Sequence, residues 1–316
     1  MRHGGDPSGF SLPPDAGTRT GARPDDITPP TLQRSVGVAR IRFKLAGGLT
    51  RMAEQAESGC LRVRSPRPEP GTARAAVLIN TTGGLTDGDR IEVSAAWDAG
   101  TAAVVTTPAA ERIYRSRGEP AHITTRLNVA ANALALWLPQ ETILFNHGRL
   151  RRRTDVHIAE AGRLIACESL IFGRRAMGEV VRDGSLLDAW RIHYAGKLVF
   201  ADTLKLDGDI EATLDRPAIA NGAKAMATVI LAGGATDEDL AAARKITGKL
   251  RSEAGVTRIG PVLVARILAK DGAAMRADLT RLLQGLLGRI EIPSQDAAHE
   301  TRTRPVVHCL PRLWHF

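Results

Sequence analysis

A chain of 316 residues can bury a substantial core without disulfide or metal staples, as one large β-rich domain or two smaller ones. Aromatic residues make up only 4% of it against 43% hydrophobic overall, so Ala, Val, Leu and Ile must supply most of that core. Its 43 Lys and Arg against 34 Asp and Glu leave a formal charge of +9, which admits nucleic acid, an anionic membrane or an acidic protein as partner.

Other features narrow that choice. The basic residues are spread along the chain, the pattern of an Arg-rich surface. The one dense run, Arg149 with Arg151, Arg152 and Arg153, lacks the interleaved aromatics that single-strand binders stack on. Nucleic acid is therefore not the expected partner. Arg, Asp or Gly interrupts every apolar run before it reaches bilayer-spanning length, so no membrane is expected either. Cys60, Cys167 and Cys309 are too few and too widely spaced for a disulfide framework, and MRHGGDPSGFSLPPDAG contains no apolar secretory core. Both point to the cytoplasm.

Residues 1–34 are rich in Gly, Pro, Asp, Thr and Arg without hydrophobic period, which predicts a disordered tail; residues 35–316 are expected to form one domain. Val36 and Val38, then Ile41 and Phe43, predict a first strand kinked at Ala39–Arg40. Ala75–Ile79, Arg90–Ala95 and Ala102–Thr106 follow as strands, each closed by Gly, Pro or Asp. Ala121–Val129 is the clearest, with Ile123, Thr125, Leu127 and Val129 on one face. Leu134, Leu136 and Leu138 repeat the period of two, and Leu150–Ile158, Leu164–Ser169, Leu186–Tyr194 and Leu198–Leu206 continue it.

The last third changes period. Arg216–Leu231 fits either a helix starting after Pro217 or a strand at Val229–Leu231. Thr236 and Asp239 form a capping box, and Leu240, Ala243, Ile246, Thr247 and Leu250 share a helical face. Val262–Leu268 is a predicted strand, and Met275, Leu279, Leu282, Leu283, Leu286, Leu287 and Ile290 define a second amphipathic helix. The fold class expected is mainly β, a β-rich α+β protein of packed or stacked sheets with a few helices toward the C-terminal third.

Chemistry-bearing residues are scattered. Asn80–Asp89 is Gly-rich and lies between two predicted strands, but a phosphate cradle needs Lys and Ser or Thr after its last Gly; Asp89 and Arg90 follow Gly88. A tight β connection is expected there, with a metal role for Asp87 and Asp89 as the lesser alternative. Asp207, Asp209 and Glu211 line one side of an extended segment, lack the Glu that ends an EF-hand loop, and read as a solvated strand face. Ser116, Ser169 and Cys167 are the potential nucleophiles, yet none sits in G-x-S-x-G or beside an evident base, and no H-E-x-x-H occurs. His308, Cys309 and His315 offer imidazole and thiolate as loose metal ligands, with coincidental tail composition the plainer account. Glu141 and Glu168 make a carboxylate pair only if the fold brings them together. An enzyme is not expected; the alternatives are a metal-dependent hydrolase on a β scaffold and a basic nucleic-acid-binding module.

Five blocks carry a resemblance: NTTGGLTDGDRIEV (Asn80–Val93), VVTTPAAERIYRS (Val104–Ser116), WLPQETILF (Trp137–Phe145), GRRAMGE (Gly173–Glu179) and PRLW (Pro311–Trp314). In order and spacing the chain resembles the family of the urease accessory protein UreD, also called UreH, from Ser35 to Trp314. The resemblance implies a nickel-insertion chaperone rather than an enzyme, and a predominantly β fold. It implies as partners the urease apoprotein, the accessory protein UreF and, through it, the GTPase UreG. It implies no permanently bound cofactor, only nickel(II) in transit through an internal tunnel.

Acidic residues of the matching stretches are the candidate path: Asp89, Glu111, Glu141, Glu168 and Glu179. Each has an alternative role as a buried partner of an arginine such as Arg90, Arg112 or Arg174. Scattered carboxylates and water suit transit, because thiolates and imidazoles hold nickel too tightly to release it. Two departures stand out. Where relatives often read LFDG this chain has Phe145, Asn146 and His147, so a carboxylate is missing at 146. Where GGLTGGD is common Asp87 replaces Gly, implying that position 87 needs no positive φ or that Asp tolerates one.

Overall fold

The computed structural model describes residues 33–67, 72–289 and 310–314, and the chain divides into two units, Met1–Gln33 and Arg34–Phe316. Apart from Gln33 and Arg34, the expected N-terminal tail lies outside the described residues. The second unit opens with β1 (Val36–Ala46), β2 (Leu49–Gly59), β3 (Leu61–Arg64), β4 (Arg74–Asn80), β5 (Arg90–Trp97), β6 (Ala102–Thr106), β7 (Glu111–Ile113), β8 (Ala121–Val129) and β9 (Leu134–Leu138). It continues through β10 (Thr142–Leu144), β11 (Arg149–Ile158), β12 (Arg163–Phe172), β13 (Gly184–Tyr194) and β14 (Lys197–Gly208). Then come α1 (Ile210–Asp215), β15 (Ala225–Ala232), α2 (Asp237–Thr247), β16 (Glu253–Ile259), β17 (Val262–Ala269) and α3 (Gly272–Leu287). A mainly β fold with few helices is what the residue pattern predicts.

From β4 to β13 the chain crosses repeatedly between two sheets, so that successive coils stack in parallel. Sheet 1 has the order β14-β13-β11-β8-β5-β1-β2, with parallel pairing from β1 to β13 and an antiparallel strand at each edge. Sheet 2 runs β16-β17-β15-β12-β9-β6-β4-β3, and β10 joins β12 to β7 beside it. Pro139 separates β9 from β10, as expected of a residue that has no N–H for the ladder.

Two apolar layers result. Between the sheets pack Phe43, Trp97, Leu127, Leu150, Trp190 and their neighbours. On the far side of sheet 2, Leu136, Cys167, Val229 and Ile267 pack against Leu279, Leu282 and Leu286 of α3 and against Trp314. Sheet 2 is therefore covered on both faces, and β9 is buried at every position rather than at alternate ones: Ala135 and Trp137 face the inter-sheet layer while Leu134, Leu136 and Leu138 face the helices.

Several local expectations change. β1 is not kinked at Ala39–Arg40; Gly37, Ala39, Ile41 and Phe43 alternate inward and the register shifts only between Arg42 and Phe43. Ala39 is small enough to pass as a break in an apolar pattern, but its methyl group is fully buried. Asp207, Asp209 and Glu211 do not share a strand face. Asp209 caps α1 through Ala212 N–H (2.9 Å), and Glu211 lies in its first turn, bonded to Arg175 and to Lys224 (2.6 Å). The helix thus precedes Pro217, and the ambiguous stretch resolves to β15.

Candidate functional site

Inward positions of a strand buried on one face are normally apolar. β11 and β13 break that rule with Arg152, flanked inward by Leu150 and Thr154, and Asp188, flanked by Leu186 and Trp190. From the opposing sheet β12 contributes Glu168. The three are 7, 7 and 6% exposed, so they meet in the layer between the sheets. Arg152 donates through Nε (3.1 Å) and Nη2 (2.6 Å) to the two Asp188 oxygens and through Nη1 to Thr142 Oγ1 (3.1 Å), and Nη1 is ion-paired with Glu168.

A lone buried carboxylate is costly, and this group has one guanidinium for two of them. Burial pushes the Glu168 pKa up to about 8, with Asp188 adding to the rise while Arg152 and the Trp137 indole act against it. That direction favours the neutral carboxyl at Glu168, beside the Arg152–Asp188 ion pair. For Arg152 burial disfavours the charge, but Asp188 and Glu168 more than offset that and its pKa is raised.

The polar series extends both ways. On one side a cavity of about 20 Å³ is lined by Glu168, Asp188, Asp202, Thr228 and Arg266 among apolar neighbours, room for about one water. Its exposed margin is an ion pair between Asp202 of β14 and Arg266 of β17, one residue from each sheet. On the other side Thr142 is the register partner of Glu111. Burial raises the Glu111 pKa, and its carboxylate accepts Asn80 Nδ2 at 3.1 Å. Asn80, Glu111, Thr142, Arg152, Glu168, Asp188 and Asp202 thus form a polar series on the inter-sheet side of their strands. The nearby Cys60 thiol is held protonated by its burial and by the charges of Asp89 and Glu111, while Cys167 faces the other side of β12.

The remaining sequence candidates lie elsewhere. Asp89 is buried, and its oxygens accept the Ser35 (2.7 Å) and Thr86 (2.9 Å) N–H groups, which braces the start of β1 against the 80–89 connection. Asp87 binds the Ser116 hydroxyl and the Arg117 N–H (2.6 Å); burial alone would raise its pKa, but these bonds hold it low. Position 87 needs no positive φ, which falls on Gly88 at 67°. Glu141 sits on the helix side of sheet 2, paired with Arg276 of α3 at 3.0 Å, so it does not meet Glu168 as a pair. Glu179 closes its own loop on Arg174 (2.9 Å), and that bond keeps its pKa low. His308, Cys309 and His315 lie outside the described residues. Among the described residues no group of three or more His, Cys, Asp or Glu is arranged to hold a metal.

The motif blocks prove to be neighbours. Gly84, at φ 153°, lets Tyr114 approach to where a Cβ would lie 2.4 Å from the ring, and Leu85 exchanges backbone bonds with Arg112 and Tyr114 at 2.7 and 2.8 Å. Phe145 packs edge-on to Tyr114 and lies under Arg174. Arg152 and Asp188, which sequence reasoning missed, had a readable signal: each stands at an inward position of a regular alternation.

Fold and site together define a coiled two-sheet β scaffold with a buried Arg152–Glu168–Asp188 group between its sheets. The model of the UreD urease accessory protein family matches residues 35–303. Similar proteins include the urease accessory protein UreD of Rhodopseudomonas palustris (strain HaA2), 42% identical over 89% of this chain and 93% of that protein. That of Methylobacterium sp. (strain 4-46) is 45% identical over 82% and 94%, and UreD 3 of Bradyrhizobium sp. (strain BTAi1) is 42% identical over 82% and 92%. The chain belongs to the UreD urease accessory protein family.

Proposed function

We propose that this protein is a non-enzymatic cytoplasmic chaperone that binds the urease apoprotein and, with UreF and UreG, helps pass nickel(II) into the urease active site. Membership of the family supports a role in urease maturation. The observation that carries the nickel reading is the polar series from Glu111 through Glu168 and Asp188 to Asp202. Oxygen ligands without thiolate or imidazole bind nickel weakly enough to let it leave. A cation arriving beside Glu168 displaces its proton, and Arg152 stays with Asp188. Since the cavity admits about one water and a hydrated divalent ion is larger, the series is closed in the free chain and opens on docking.

The test is urease activation in cells carrying the other accessory genes, with and without this chain. Urease that reaches full nickel occupancy in its absence sinks the proposal. Glu168→Ala is expected to lower activation while sparing co-purification with the partners. Glu141→Ala, which frees Arg276, is expected to lower both in step.

A further inference from the structure

The outward face of sheet 1 has no cover among the described residues, whereas α3 and Trp314 pack over most of the far face of sheet 2. Its five inner strands, β1, β5, β8, β11 and β13, present only two outward carboxylates, Glu92 and Asp155, and Asp155 is already held by Arg153 at 2.7 and 2.9 Å. Against them stand Arg40, Arg90, Arg126 and Arg151, none of which makes an ion pair among the described residues.

Register places these four in two rows. Arg40 and Arg126 flank Ser94, and Arg90 and Arg151 flank His122, so each pair is about 10 Å apart across two inter-strand spacings. The field is concentrated: burial, then Arg90 and Arg151, lower the pKa of His122, which opposes a further positive charge. Leaving like charges together on a flat face costs stability, and an acidic counter-surface relieves that cost.

We propose that this face of sheet 1 is a docking surface for a folded protein partner that presents an acidic face. The proposal rests on the chaperone reading above and names the surface it uses. The five inner strands, at about 4.8 Å spacing and about ten residues each, make a face on the order of 800 Å², the share one partner contributes to a stable complex. No Phe, Tyr or Trp points outward from the five strands to stack bases, and the outward apolar residues, such as Val36 and Leu187, are too dispersed to enter a bilayer.

The experiment uses the full chain and purified urease apoprotein, UreF and UreG as separate probes. Arg40→Ser/Arg126→Ser, Arg40→Glu/Arg126→Glu and Arg90→Glu/Arg151→Glu are compared with wild type, with thermal unfolding confirming that each variant is folded. Expected is a graded loss of affinity for one probe, about tenfold or more for each reversal pair, with a weaker salt dependence than wild type. Wild type that binds no probe defeats the chaperone reading itself. Wild type that binds while the folded reversal variants bind equally well overturns the surface alone. So does a loss confined to anionic vesicles or DNA, or a protease-sensitive 1–32 segment in the variants with partner binding unchanged, which would assign the face to the chain's own N-terminus.

Discussion

Glu168 is the residue at which stability and the proposed cargo chemistry meet. Its pKa of about 8 in the fold lies well above the value near 4.5 that an exposed Glu has. Between those two values the folded chain holds a proton that the unfolded chain has lost. The stabilisation tied to that proton is complete below about pH 4.5 and is lost as pH rises through 8. Glu168→Gln keeps the neutral shape and removes the titration. In urea unfolding from pH 5 to pH 9, wild type should lose stability relative to the variant as pH rises; a constant difference would show that the carboxyl is ionised throughout. Arg152→Leu is the harsher change, because Asp188 and Glu168 then stay buried with no cation. A loss of roughly 3–5 kcal/mol is expected from the same measurement.

At the scale of elements, the closing PRLW segment is tied down by chemistry from two other blocks and from α3. The Trp314 indole N–H reaches Leu138 O at 3.3 Å and Thr106 Oγ1 at 3.4 Å, Gln140 Nε2 reaches Leu313 O at 3.2 Å, and Arg276 lies over the Trp314 ring while holding Glu141. Trp314→Ala removes a side chain that is 2% exposed and should cost about 3–5 kcal/mol in thermal or urea unfolding. A change at Glu54 of the exposed edge strand β2 should fall within about 0.5 kcal/mol. Equal effects at the two sites would mean that the segment is not part of the core.

The contrast between β2 and the inner strands also explains what alternation made legible. β8, β11, β13 and β14 were readable because one face meets the core and the other meets solvent. The edge strands β2 and β16 have no fully buried face, so no strong hydrophobic period betrays them; backbone pairing holds them with a few apolar contacts, from Met52, Ala254 and Val256. The capping box at Thr236 was legible because it is local, with Asp239 and Thr236 bonded reciprocally. The Arg152–Glu168–Asp188 group is the opposite case. Its members come from three strands, and Arg152 was masked by sitting in a run of arginines whose neighbours Arg151 and Arg153 do point outward. Of the candidate carboxylates, Glu168 and Glu111 face the inter-sheet side of their strands, while Asp89, Glu141 and Glu179 are committed to a turn brace, a helix clamp and a loop closure.

For the molecule as a whole, the two sheets must separate locally if an ion is to travel between them. Their shared layer is dense, and the Asp202–Arg266 pair joins them at its margin. Hydrogen exchange tests this directly, since amides in β12, β13 and β15 are bonded to neighbouring strands and exchange only on opening. In the isolated chain they should be among the slowest. In the proposed complex with UreF and urease apoprotein, those beside the cavity, around Asp188 and Thr228, should exchange faster while the ends of the same strands stay protected. Uniform slowing along all three strands would mean that docking only rigidifies the sandwich, leaving no route past Arg152. Asp202→Asn, which weakens the margin pair, should bring part of that faster exchange into the free chain.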